Sequence, residues 1–263
     1  MSEHETKVKA NHLEIEMACM KNYEDLSEKD IRIQLAASYR LVEQLGWSFL
    51  IFGHLTARVP GPEKHFLINP YGLMYDEINA SNLVKINLEG EKVEKSDWEV
   101  NPAGFIIHSA VHNSKEKAHC VMHTHTNAGM GMAALKKGLI NIDFSGSAFY
   151  NKVAYHDFEG VTLRKDECKR IANDLGEKSV MILKNHGLLT TGETVADAFM
   201  KLYTLESACQ VQLMARACNE SFEFVTEKVA KNHSRDLKDA ASYKLAFRAL
   251  VRRMLRKDPS FIL

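Results

Sequence analysis

The residues best suited to act together are histidines. His123-Thr124-His125 carries two imidazoles two positions apart. In a strand, positions i and i+2 project to one face, so both rings could reach one metal ion while Thr124 points away. A strand-end His-x-His is a recurring chelate for zinc and iron. Two polar residues on a half-exposed strand would show the same spacing. His186 adds a third ring. It follows the apolar run Val180-Met181-Ile182-Leu183 and precedes Gly187, where a glycine permits a sharp turn or close backbone approach. His108 and His112 are four apart on a helical stretch and share a face. No zincin-type glutamate lies between them, and they read as structural or supporting residues rather than ligands.

The elements that must carry these residues follow from pattern. Ser27 with Asp30 makes a capping-box-like start to a helix over Glu28–Leu45, stopped by Gly46. Strand-like runs cover Phe52–Val59, Phe66–Asn69 and Val84–Leu88, separated by proline and glycine turns. A helix over Gly104–Asn113, a strand over His119–Thr126 and a helix over Ala128–Lys136 come next. A strand at Lys152–Asp157 precedes a helix from about Arg164 to Leu175. The run at Val180–Leu183 is apolar throughout, as a strand covered on both faces would be. Thr194 caps a long helix to about Cys218, and the pattern is helical again from Ser234 to about Lys257. Residues 1–25 are expected to form a mobile arm, 26–218 the main domain, and 219–263 a linker with a C-terminal helical extension.

Composition sets limits on function. The 263 residues hold 34 acidic and 34 basic side chains, so the net charge is zero. Nucleic-acid binding by global phosphate neutralisation is excluded. With 45% apolar residues the chain is expected to fold. The 12 histidines are about twice the number expected at ordinary usage. Five cysteines without a C-x-x-C pair fit free thiols in a reducing compartment. No secretory leader and no apolar run of membrane-spanning length is visible, so a cytoplasmic protein is expected. The C-terminal run of Lys244, Arg248, Arg252, Arg253, Arg256 and Lys257 is locally basic, and reads as a solvated helix face or a subunit contact.

Five motifs in order give the chain a resemblance to a known family. They are Gly53-His54-Leu55-Thr56-Ala57-Arg58, Phe66-Leu67-Ile68-Asn69-Pro70-Tyr71-Gly72, Asn101-Pro102-Ala103-Gly104-Phe105, Val121-Met122-His123-Thr124-His125-Thr126 and Leu183-Lys184-Asn185-His186-Gly187-Leu188. From about Ser27 to Cys218 the chain resembles the class II aldolase/adducin family. The resemblance implies an α/β fold of three layers, α/β/α, with a mostly antiparallel central sheet. It also implies a homotetramer and a divalent metal held by His123, His125 and His186. That metal is expected to be zinc, with iron or manganese as alternatives, and its role is to polarise a substrate carbonyl.

The departures from the family pattern bear on function. Family aldolases carry a proton-transferring glutamate where this chain has Gly104, and phosphate-binding serines where it has Pro102 and Ala103. His54 replaces the asparagine of a phosphate loop. Asn-Pro-Tyr-Gly at 69–72 and Val153-Ala154-Tyr155-His156-Asp157 look like the adducin-like branch, here without the long adducin tail. The resemblance implies a metal-dependent lyase acting on a small carbonyl or carboxylate substrate. Proton transfer would then fall to His54, Tyr155 or His156. Arg58, Asn69 and Gly72 are the candidates for holding substrate, Arg58 by a bidentate grip on a carboxylate or phosphate. A non-catalytic adducin-like scaffold or cytoskeleton-type binding protein, and a three-histidine non-haem iron oxygenase, are the alternative readings.

Overall fold

The computed structural model describes residues 3–160, 166–237 and 240–263. In chain order its helices and strands are α1 (Glu3–Ala18), α2 (Glu28–Gln44), β1 (His54–Arg58), β2 (Phe66–Ile68), β3 (Val84–Ile86), α3 (Pro102–Ser114), β4 (Cys120–Thr124), α4 (Asn127–Ala133), α5 (Phe144–Ala148), β5 (Val153–His156), α6 (Glu167–Leu175), β6 (Val180–Leu183), β7 (Gly187–Gly192), α7 (Val195–Ala217), α8 (Glu227–Asp236) and α9 (Ala240–Lys257). The seven strands form one sheet in the order β3-β2-β1-β4-β7-β6-β5. Only β5 and β6 run parallel among the neighbouring pairs, so the sheet is mostly antiparallel.

Strand alternation sorts the core into two layers. Leu55, Met122, Val153, Ile182 and Leu188 face one way and join Leu35 of α2, Phe199 of α7 and Phe247 of α9. Val121, Ala154, Met181 and Leu189 face the other way, onto Ile107 and Val111 of α3 and Ile171 and Leu175 of α6. The result is the α/β arrangement with helices on both faces. Capping fixes where helices begin. Ser27 accepts from Asp30 N–H while the Asp30 carboxylate accepts from Ser27 N–H, and Thr194 accepts from Asp197 N–H at the head of α7.

Several stretches differ from the pattern-based expectation. The segment read as a mobile arm is helical over Glu3–Ala18. Its end is buried through Ile15, Ala18 and Cys19, and Glu16 accepts from Arg248 and Arg252 of α9 at 3.2 and 3.3 Å. Those two arginines of the basic C-terminal run are therefore engaged within the chain. Residues 219–233 contain most of α8, so the expected linker is partly helical, and the final helix begins at Ala240 rather than Ser234. The buried side chains of Phe247, Val251 and Met254 pack α9 into the main core. β7 was not foreseen. Its Gly-Leu-Leu-Thr-Thr-Gly sequence is buried throughout but offers no alternation to read. The helix expected from Arg164 starts in residues 161–165, which lie outside the described residues. Among the described residues no helix is long and apolar enough to cross a membrane.

Candidate metal centre

His123, His125 and His186 converge. Their ligand atoms all lie within 4.8 Å of one another. His125 Nε2 is 2.8 Å from His123 Nε2 and 2.9 Å from His186 Nε2. His123 comes from β4 and is fully buried. His125 follows just beyond the strand end, on the same face by alternation. His186 lies in the tight turn from β6 to β7, where Asn185 takes the left-handed φ of 55°. A Cβ on Gly187 would fall 2.4 Å from the Thr124 carbonyl oxygen and 3.3 Å from His125 Cδ2. Only glycine lets the turn lie this close to β4.

The donor set suits a divalent cation. His123 Nδ1 lies 2.8 Å from the Leu188 carbonyl, which can only accept. The proton therefore sits on Nδ1, and Nε2 offers its lone pair to the cluster. Burial comes first, and repulsion among the imidazoles second, in lowering all three rings: His125 to about 4, His123 well below its ordinary value, and His186 in the same direction. Neutral rings are the form that binds metal. Zinc with Zn–N of about 2.05 Å in tetrahedral geometry separates its nitrogens by about 3.3 Å. The observed 2.8 and 2.9 Å need open only by about half an ångström to admit it.

The other predicted site residues divide sharply. His54 pairs with His123 across β1 and β4, so its side chain shares the face of the cluster, and their ring centroids are 5.5 Å apart. It is buried, and among the described residues neither ring nitrogen has a hydrogen-bond partner. Burial, then repulsion from His125 and His186, pushes it down to about 3. A Cβ on Gly104 would sit 1.7 Å from His54 Cδ2. His54 thus fills the space that any side chain at position 104 would need.

His156 also belongs to this face. A cleft beside His186 is lined by His156, Phe158, Glu159, Glu167 and Lys184. Asp174 Oδ2 accepts from His156 Nδ1 at 2.7 Å. His156 Nε2 is 3.7 Å from Glu167 and 3.9 Å from Glu159.

Tyr155, one residue earlier, points to the opposite layer, as strand alternation requires. Its hydroxyl accepts from Leu139 N–H at 3.0 Å. Arg58 lies four residues along β1 from His54, about 13 Å away, and its guanidinium donates to the His112 and Glu116 carbonyls at the end of α3. Asn69 is spent on the Tyr39 hydroxyl at 2.8 Å in the other layer. Gly72 is exposed, with open space where a Cβ would be. The structure does not bring Tyr155, Arg58, Asn69 or Gly72 to the histidine cluster.

Pattern reading missed the surroundings of the cluster. Phe49 approaches His125 with ring centroids 5.8 Å apart, and Phe158 approaches His186 at 6.2 Å. Both aromatic residues are exposed at the mouth. The acids around His156 come from α6 and the preceding segment, and no local spacing links them to it.

The family described as Class II Aldolase and Adducin N-terminal domain matches residues 33–213, and the chain belongs to this family. It is 44% identical to alpha-adducin of Rattus norvegicus over 196 residues, 73% of this chain and 26% of the adducin. Among solved structures, an aldolase II superfamily protein from Pseudomonas syringae is 40% identical, with a TM-score of 0.86 over 92% of this chain and 100% of that one. L-fuculose 1-phosphate aldolase from Glaciozyma antarctica PI12 is 28% identical, with a TM-score of 0.81 over 92% of this chain and 97% of the aldolase.

Proposed function

We propose that this chain is a metal-dependent lyase-type enzyme acting on a small carbonyl or carboxylate substrate, working as a cytoplasmic homotetramer. The observation that carries the reading is the convergence of three neutral imidazoles through Nε2. His123, His125 and His186 hold the metal, zinc first and iron or manganese as alternatives. When bound, the metal supplies Lewis acidity that polarises a substrate carbonyl. Likeness over nearly the full length to an L-fuculose 1-phosphate aldolase supports lyase chemistry.

The chain's own residues account for the rest of the reaction. Gly104 cannot move a proton, and His54 stands in the space above it. His54, a neutral imidazole beside the cluster, is the first candidate for the proton-transfer role. His156, oriented through Nδ1 by Asp174, is the second candidate, on the cleft side. Phe49 and Phe158 flank the mouth beside His125 and His186. The likeness to alpha-adducin favours a second reading, a scaffold without catalysis.

Metal analysis of tetramer purified without a His-tag tests the site. About one ion per chain is expected, and H123A/H125A abolishes it. Metal content unaffected by the double substitution would overturn the assignment. A metal-loaded protein without turnover of hydroxy-aldehyde, keto or carboxylate substrates would favour the scaffold.

A further inference from the structure

α3 presents Gly104, His108 and His112 at intervals of four, a single stripe along the helix. The stripe faces His54 and Thr56, which alternation places on one side of β1. Thr56 Oγ1 lies 2.6 Å from His108 Nδ1 and 2.8 Å from His112 Nε2. The direction of each bond follows from the far end of the chain of contacts. His112 Nδ1 lies 2.7 Å from the Ala118 carbonyl, which can only accept, so Nδ1 carries the proton. Burial keeps this ring neutral, pushed down to about 3, and its Nε2 therefore offers a lone pair. The Thr56 hydroxyl donates to that lone pair, and its oxygen accepts from His108 Nδ1–H. His108 is thereby held in one tautomer with a bare Nε2.

The His108 ring lies beside His54 with centroids 5.1 Å apart and planes at 21°. Among the described residues His54 has no hydrogen-bond partner through either nitrogen. Its direction is set by what packs around it: His123 on β4, His108, and the gap at Gly104. A shift of α3 along β1 would carry that gap away from the ring.

We propose that Thr56, His108 and His112 are positioning residues for His54. The paired hydrogen bonds at Thr56 lock the register of α3 on β1, which places Gly104 beneath the His54 ring and a single-tautomer His108 beside it. The functional meaning rests on His54 serving the reaction proposed above. The arrangement itself is testable without metal or substrate.

The experiment is long-range 1H–15N spectroscopy of the histidine rings in the 15N-labelled, metal-free full chain. Wild type should show His108 protonated on Nδ1, the minor tautomer of free histidine. T56S, which keeps the hydroxyl, should retain that tautomer and leave the His54 signals in place. T56V, nearly the same shape without the hydroxyl, should release His108 to the Nε2–H form and shift the His54 ring signals. His108 protonated on Nε2 in wild type, or His54 signals identical in T56V and wild type, overturns the proposal. If T56V does not fold, the wild-type tautomer alone decides, Nδ1–H upholding and Nε2–H overturning it. Absence of bound metal would sink the lyase reading and leave this measurement unaffected.

Discussion

Gly104→Ala measures how firmly the His54 ring is held. Glycine to alanine in a helix ordinarily stabilises by about 0.4–1 kcal/mol, because the unfolded chain loses freedom. Gly104 lies in the first turn of α3 without a left-handed φ, so that gain is available. The built Cβ, however, falls 1.7 Å from His54 Cδ2, 2.3 Å from Nε2 and 2.7 Å from Cγ. Three ring atoms overlap, so the ring must move as a body. His108 and His123 bracket it, at 5.1 and 5.5 Å between centroids. Overpacking of this kind costs about 1–3 kcal/mol, leaving a net loss of about 0–2.5 kcal/mol after the usual gain. In a His54→Ala background the overlap is gone and the same substitution should be neutral or stabilising. The double-mutant cycle should therefore show a coupling of about 2 kcal/mol. Urea unfolding followed by circular dichroism, on all four proteins in chelator at one pH, reads it. A G104A protein more stable than wild type would mean that the ring swings aside freely, and the steric argument would fail.

Three further outcomes follow from the same contacts. His54 and His112 are each pushed down to about 3 by burial, against about 6.5 in the unfolded chain. The unfolded chain takes up these protons first, so this stability is fully present above pH ~6.5 and falls toward pH 3, by about 1.4 kcal/mol per pH unit for each ring. Urea midpoints at pH 7.5, 6 and 5 check it, and a flat profile refutes neutral burial. Arg58→Ala removes the two donors at the end of α3 and should cost about 1–2 kcal/mol without changing metal stoichiometry. A loss of metal in R58A would show that Arg58 serves the cluster after all. Tyr155→Phe removes one hydrogen bond in the opposite layer, so a fall in stability of about 1 kcal/mol is expected. Metal content should stay unchanged, and its loss would contradict the assignment of Tyr155 to that layer.

The histidine trio and the sheet were legible because their signals are local. His-x-His on a strand and a histidine before a glycine are short patterns, and the apolar run at Val180–Leu183 has one reading. The roles of Tyr155 and Arg58 were not legible, for two different reasons. Tyr155 and His156 are adjacent, so only one can face the cluster, and sequence does not say which face is inward until the partner strand is known. Arg58 shares the correct face but sits at the wrong end of β1, where α3 terminates beside it. The arm at 1–25 misled through its polarity. Among the described residues its burial gathers around Ile15, Ala18 and Cys19, too short a stretch to show a period. Thr56 lies within the Gly53–Arg58 motif, but nothing local to that motif gives its hydroxyl a partner. Its role appears only when β1 and α3 are laid together.

The three clustered histidines and the His54–Gly104 pair rest on different parts of the scaffold. The trio belongs to β4 and to the turn into β7, strands joined to each other from Cys120 to Thr124. The pair belongs to β1 and the first turn of α3. Residues beside the cluster can therefore change without disturbing the turn that gathers the three histidines. The trio by itself therefore says less about proton transfer beside it than do the residues at positions 54 and 104.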